Sequence, residues 1–160
     1  MKILLISGSP TANGSTEILL RHIGKSLLGG SFLDKSFLDK NLRDGAPRAE
    51  TAEVEFVRLN DLKFIPCQSC ARSPEPEVCF YEDELWPVYK SLINSDIVVL
   101  GSPVFFDSVS AQTKMLIDRC SCFRPPDFEN ITERDFINLS KKLGFRRRIG
   151  AGVLVAGERG

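Results

Sequence analysis

Three short stretches of this chain carry side chains suited to chemistry, and a set of cysteines lies between them. The first stretch, Ser7-Gly8-Ser9-Pro10-Thr11-Ala12-Asn13-Gly14-Ser15-Thr16, offers the hydroxyls of Ser7, Ser9, Thr11, Ser15 and Thr16 and contains no Lys or Arg. Between the carboxyl end of a strand and the start of a helix, it would present free backbone N–H groups and the positive end of a helix dipole to an anion. Amides and hydroxyls would then hold a phosphate. No Lys follows the second Gly, which excludes the nucleoside-triphosphate P-loop, and G-x-G-x-x-G is absent. A plain strand–helix turn of small residues is the simpler alternative. The second stretch, Gly101-Ser102-Pro103-Val104-Phe105-Phe106, places two aromatics side by side in a loop. Exposing them is costly, so they either pack beneath the loop or line a planar ligand. The third stretch is Ala156-Gly157-Glu158-Arg159-Gly160.

Each stretch follows a segment that reads as a buried strand. Ile3-Leu4-Leu5-Ile6, Ile97-Val98-Val99-Leu100 and Ile149 to Ala156 are apolar runs with β-branched members, and Val54 to Leu59 reads as a further strand. Unbroken hydrophobicity is the pattern of a strand covered on both faces of a parallel sheet. Helices are expected between them. The first follows Ser15, with Leu19, Ile23 and Leu27 as its apolar stripe, Glu17 in its first turn and Gly29-Gly30 as its stop. Others are expected over about Asp83 to Asn94 and Ser110 to Cys120, with Pro87 tolerated near the start of the former. Alternating strand and helix predicts an α/β fold, a parallel sheet with helices on both faces. The three stretches then share the carboxyl edge of the sheet, where open α/β sheets bind ligands.

Composition narrows the function classes. The chain has 160 residues, 21 basic and 21 acidic side chains, one His and five Cys. That length suits one domain. Balanced charge argues against nucleic acid or an anionic membrane as partner. No apolar run approaches the ~20 residues of a membrane span, and the N-terminus does not read as a signal peptide. A cytoplasmic location is expected, where thiols stay reduced and cysteines point to metal or redox chemistry before disulfides. His22 reads as a surface residue, Arg146 to Arg148 as the solvated start of a strand, and Cys120 and Cys122 as packing residues rather than supplementary ligands. A C-x5-R phosphatase cradle is excluded, because only four residues separate Cys67 from Arg72.

Taken together, Gly8-Ser9-Pro10, Asn13-Gly14-Ser15-Thr16, Pro66-Cys67-x-x-Cys70, Gly101-Ser102-Pro103-Val104-Phe105-Phe106, Ser110-Ala111-Gln112-x-Lys114 and Asp118-Arg119 resemble the NAD(P)H-dependent FMN reductases, and within them the iron–sulfur flavoprotein branch. The resemblance runs from Met1 to about Arg119 and resumes at Ile149 to Gly160. It implies a flavodoxin-like three-layer sandwich with FMN at the switch point of the sheet. Carried over by position, Ser9, Thr11, Asn13, Ser15 and Thr16 would hold the FMN phosphate. Pro103, Val104, Phe105 and Phe106 would border the isoalloxazine ring, and Gly157 would approach its other side. No side chain stands out as an acid or base, as expected where the flavin carries the reaction.

The branch also implies a metal motif. Cys67, Cys70, Ser73 and Cys79 match C-x2-C-x2-C-x5-C with Ser in the third place. Cys67, Cys70 and Cys79 could ligate an iron–sulfur cluster, which normally takes four Cys. They could also hold zinc with an outside ligand, or form a redox-active or vestigial thiol loop. The expected activity is electron transfer from NAD(P)H or a protein donor to a quinone, a flavin, an iron–sulfur protein or another acceptor. An electron carrier without NAD(P)H turnover and a Cys-loop metal-binding module are the alternatives. A homodimer or homotetramer is expected, with the repeat Ser31-Phe32-Leu33-Asp34-Lys35, Ser36-Phe37-Leu38-Asp39-Lys40 as a contact surface. Against a flavodoxin-like sheet, insertions at 31–50 and 123–148 take up the length. The expected single domain over 1–160 therefore stops without its last helix and fifth strand.

Overall fold

The structure, a computed structural model, describes residues 1–28, 52–70, 79–123, 132 and 148–157. Strand β1 (Lys2–Ser7) lies at its centre. Ile3 and Leu5 face one side, packing with Met1, Leu20, Ile97 and Val99. Leu4 and Ile6 face the other, packing with Leu59, Leu85, Val88, Tyr89 and Leu116. Each of the four is at most 1% exposed, and burying such a side chain contributes about 1.5–3 kcal/mol. The apolar run is unbroken because both faces are core.

Strand β2 (Glu53–Arg58) pairs parallel to β1 with Ile3 opposite Val54. On the other side lies β3 (Ile97–Phe105), also parallel, with Ile3 opposite Ile97 and Ser7 opposite Gly101. A two-residue strand, β4 (Ser108–Val109), folds back antiparallel on the end of β3. Strand β5 (Ile149–Val155) runs parallel along β3, from Ile97 opposite Ile149 to Pro103 opposite Val155. The parallel strands therefore lie in the order β2-β1-β3-β5. Helix α1 (Ser15–Leu28) contributes Leu20 to one core layer. Helices α2 (Trp86–Asn94) and α3 (Ala111–Arg119) contribute Val88, Tyr89 and Leu116 to the other. This is the flavodoxin-like α/β arrangement expected from the sequence, with the chain changing direction across the sheet between β1 and β3. Helix α1 presses so closely that a Cβ on Gly101 would lie 2.7 Å from the Leu20 Cδ1.

Several boundaries differ from the sequence expectation. The buried face of α1 is Thr16, Glu17, Leu20 and Gly24. Ile23 and Leu27 pack at its margin, and Leu19 is 38% exposed. Helix α2 starts at Trp86, with Pro87 in its first turn where no N–H is required. The Asp83 carboxylate accepts the Leu85 N–H just ahead of it. Helix α3 starts after Ser110, whose hydroxyl caps it by accepting the Thr113 N–H at 3.2 Å.

The largest correction concerns Gly101 to Phe105, which form strand rather than loop. They continue β3 because Phe106 and Asp107 close a hairpin with both φ angles positive, 47° and 60°. Two-residue hairpins need that twist, but the usual Asn-Gly or Asp-Gly signal is missing here. The repeat over Ser31–Lys40, Ser73 and the greater part of 123–148 lie outside the described residues. No helix among the described residues is long and apolar enough to cross a membrane.

Candidate functional site

Parallel pairing brings the first two predicted stretches, and Ala156 and Gly157 of the third, to one edge. Ser7 pairs with Gly101, and the Gly8 N–H extends that ladder by donating to the Gly101 carbonyl at 2.8 Å. Gly157 follows Val155, which is opposite Pro103.

The first loop is shaped by its own hydroxyls. Ser7 Oγ accepts the Ser9 N–H at 3.3 Å. Ser9 Oγ accepts the Thr11 N–H and donates to the Thr11 carbonyl, both at 3.2 Å. Ser9 and Thr16 are buried, whereas Thr11, Asn13 and Ser15 are exposed. Asn13 adopts φ 54°, a left-handed conformation that Asn tolerates. Its N–H donates to Glu17 Oε2 at 2.8 Å. Beneath the loop, Ser110 Oγ donates to the Gly8 carbonyl at 2.6 Å. A Cβ on Gly8 would lie 1.8 Å from Thr113 Oγ1, so the start of α3 leaves room only for glycine.

Glu17 ties this loop to α1 and β2. Its Oε1 accepts from Arg21 Nη2 at 2.7 Å and from Nε at 3.2 Å. Arg58 Nε lies 3.3 Å from Oε2, within ion-pair distance but without a hydrogen bond. Burial alone would raise the Glu17 pKa. The Arg21 hydrogen bond, the Asn13 amide and the charges of Arg21 and Arg58 outweigh it and hold the carboxyl below its usual range.

At the second stretch, Pro103 and Val104 are half-buried, Phe105 is 52% exposed and Phe106 is 96% exposed. Of the two expectations for these aromatics, packing beneath the backbone is therefore not met by Phe106. A bulky residue at positive φ is uncommon, and Phe106 adopts it as the first residue of the hairpin turn. Gly157 is exposed, and a Cβ there would meet nothing within 4 Å.

Cys79, Cys120 and Cys122 belong to the core layer away from α1, beside Arg119. This guanidinium is 1% exposed. Nη1 donates to Asp83 Oδ2 at 2.7 Å and to the Ile65 carbonyl at 2.8 Å. Nη2 donates to Asp83 Oδ1 and to the Tyr81 carbonyl, each at 3.2 Å, and Nε donates to the Tyr89 hydroxyl at the same distance. One side chain thus grips the chain just before Cys67 and just after Cys79. Burial would lower its pKa, but the Asp83 hydrogen bond and the surrounding groups raise it, so it stays charged. Sequence patterning singles out Arg119 only as part of a motif. The spacing Thr113, Leu116, Arg119 puts a charge on the buried face of α3, a signal that it is buried but not of what it binds.

A 3₁₀ turn, Cys120–Phe123, follows directly. Cys120 and Cys122 pack against the core layer that holds Cys79, as expected of packing residues. Cys122 Sγ donates to the Arg119 carbonyl at 3.2 Å, and Ser121 Oγ lies 3.6 Å from Cys67 Sγ. Burial pushes the Cys120 thiol up to about 12. Burial, together with the Cys79 and Cys67 thiols, takes Cys122 up to about 11. Among the described residues, no three His, Cys, Asp or Glu side chains are drawn close enough to hold a metal ion.

The carboxyl edge thus carries exposed hydroxyls beside a helix start and two projecting aromatic rings. Exposed Thr11, Asn13 and Ser15 stand at a helix start whose first N–H groups have no partner within the helix. The projecting Phe105 and Phe106 lie beyond. The cysteine loop supplies soft sulfur donors that suit iron or zinc but are not yet gathered.

Proteins of related sequence and fold show the family to which the chain belongs. An iron–sulfur flavoprotein of Methanocaldococcus jannaschii is 34% identical over 119 residues, 74% of this chain and 51% of that protein. One from Archaeoglobus fulgidus is 29% identical over 107 residues, covering 67% and 48%. One from Methanosarcina thermophila is 23% identical over 159 residues, 99% of this chain and 65% of that protein. The chain spans about half the length of the first two. Among solved structures, a flavone reductase shares the fold with a TM-score of 0.59 at 18% identity, over 99% of this chain and 44% of that one. The model of the NADPH-dependent FMN reductase family matches residues 1–160, and the chain belongs to that family.

Proposed function

We propose that the chain binds FMN at the carboxyl edge of its sheet and serves as an oxidoreductase, passing electrons from NAD(P)H or a protein donor to a quinone, a flavin or an iron–sulfur acceptor. The observation that carries this reading is the convergence of the β1, β3 and β5 ends at the switch point of the strand order. Exposed Thr11, Asn13 and Ser15 would reach the phosphate, while buried Ser9 holds the Thr11 amide and Thr16 is buried in the first turn of α1. Pro103, Val104, Phe105 and Phe106 would border the ring on one side and Gly157 on the other. Bound there, FMN supplies hydride acceptance and single-electron transfer. The protein's part is to orient it, to keep water from the covered part of the ring and to leave one face open to a donor. Cys67, Cys70 and Cys79 are the proposed ligands of an iron–sulfur cluster.

Titration of the purified chain with FMN tests the reading. Retained flavin absorbance and ligand-induced thermal stabilisation are expected, and absence of both overturns it. A second reading, an electron carrier without its own NAD(P)H turnover, is favoured by the iron–sulfur flavoproteins among the relatives. Brisk NAD(P)H oxidation with a quinone acceptor excludes it. Assembly as a homodimer or homotetramer and residence in the cytoplasm complete the proposal. The projecting Phe105, Phe106 and Leu154 are suited to a contact between copies, and light scattering at working concentration checks it.

A further inference from the structure

Glu17 is 2% exposed and takes no part in the chemistry proposed above. It is the third residue of α1, whose first helical bond runs from the Ile18 N–H to the Gly14 carbonyl. A Glu at that position commonly turns back to the amide of the capping residue itself. Glu17 reaches one residue further, and its Oε2 accepts the Asn13 N–H at 2.8 Å. Bonding there leaves the amides of the first turn to an incoming anion and fixes the residue ahead of them. Asn13 needs fixing, because φ 54° is a conformation that a side-chain-bearing residue adopts at a cost. A left-handed residue beside right-handed ones also makes successive N–H groups converge on an anion. The carboxylate is held in its turn. Arg21 lies 4.1 Å above the Phe56 ring and donates to Oε1 through Nη2 and Nε, at 2.7 and 3.2 Å. Arg58 Nε, 3.3 Å from Oε2, adds a second positive charge, which Asp61 shares. The carboxylate is therefore offset by guanidiniums where a phosphate would arrive.

We propose that Glu17 is a positioning residue that sets the preference of this edge for a phosphate-bearing flavin over the same flavin without phosphate. It does so by holding Asn13 through a hydrogen bond, without touching the ligand. The inference rests on the reading above that FMN is bound at this edge.

Fluorescence titration of the whole chain with FMN and with riboflavin tests the assignment. The wild-type chain is expected to bind FMN more tightly. Glu17→Ala is expected to lose about tenfold in FMN affinity, the worth of one charge-assisted hydrogen bond, with riboflavin affinity unchanged. Arg21→Met, a change at the surface, is expected to lower the ratio of the two affinities about threefold. It decides the matter if Glu17→Ala does not fold. An equal fall for both flavins, or an unchanged ratio in the folded variants, would overturn the assignment and leave Glu17 a purely structural residue. Tighter FMN binding by Glu17→Ala would overturn it as well, because the carboxylate would then merely repel the phosphate. A wild-type chain that binds both flavins equally would overturn this inference and leave the flavin reading standing, whereas one that binds neither would sink both.

Discussion

The phosphate loop and the cysteine loop are built over different distances along the chain. In the first, the rim is held locally, Ser7 holding Ser9, Ser9 holding Thr11 and Glu17 holding Asn13 across two to four positions. Only its floor at Gly8 is held from afar, by Ser110 and Gly101. In the second, Arg119 reaches Asp83, Tyr81 and Ile65 across 36, 38 and 54 positions. A locally bonded rim takes its shape as soon as its strand and helix form. A loop gripped by a distant guanidinium exists only once the core has assembled around that charge. The difference predicts two kinds of damage.

The largest effect is expected from Arg119→Met. It leaves the Asp83 carboxylate without its counter-charge and the Ile65 and Tyr81 carbonyls without that donor, and breaking a buried pair in this way costs about 3–5 kcal/mol. Urea denaturation checks the loss. Retained FMN binding in the folded fraction would show that the two loops are independent.

Gly8→Ala strikes the other region. Its Cβ would collide with Thr113 Oγ1, a branched side chain in the core. Such overpacking typically costs about 1–3 kcal/mol. FMN affinity should weaken by about tenfold, equivalent to ~1.4 kcal/mol, while cysteine reactivity stays unchanged. Fluorescence titration and thiol labelling measure the two outcomes side by side.

Glu17→Gln is expected to cost about 1–2 kcal/mol, because a charged hydrogen-bond acceptor for Arg21 and Asn13 is lost. The folded pKa of Glu17 is depressed. Its contribution is therefore fully present above the unfolded value, ~4.3, and is lost as pH falls through the folded one. Denaturation curves of variant and wild type should differ at pH 7 and converge in strong acid. The smallest effect is expected from Phe106→Asn. Relief of a positive φ and loss of one exposed ring should leave stability within about 0.5 kcal/mol of wild type, detectable as a small melting shift.

The same contrast explains what the sequence revealed. Strand β1 was legible because both of its faces are core, so its run has no polar interruption. The turn between β1 and α1 was legible because its hydroxyls act on near neighbours. The strand character of Gly101 to Phe105 was not, since it depends on a hairpin turn made by Phe106 and Asp107 without the usual glycine. Nor was the role of Arg119. A buried charge is tolerated only where distant carbonyls and a carboxylate converge on it, and one-dimensional spacing does not carry that convergence. Leu19 misled for a related reason. Three apolar residues at i, i+4 and i+8 define a stripe, but the rotation of α1 on the sheet is set by the close contact at Gly101.

The Gly8 amide bonded to the Gly101 carbonyl has a consequence in time as well as in space. It continues the innermost rungs of the sheet into the loop, so it can open only when β1 and β3 separate. Hydrogen exchange there is expected to run at the pace of global unfolding, while the amides of the exposed loop rim exchange through small local openings. A ligand arriving at this edge therefore meets a floor that persists between encounters and a rim that samples many shapes within each one.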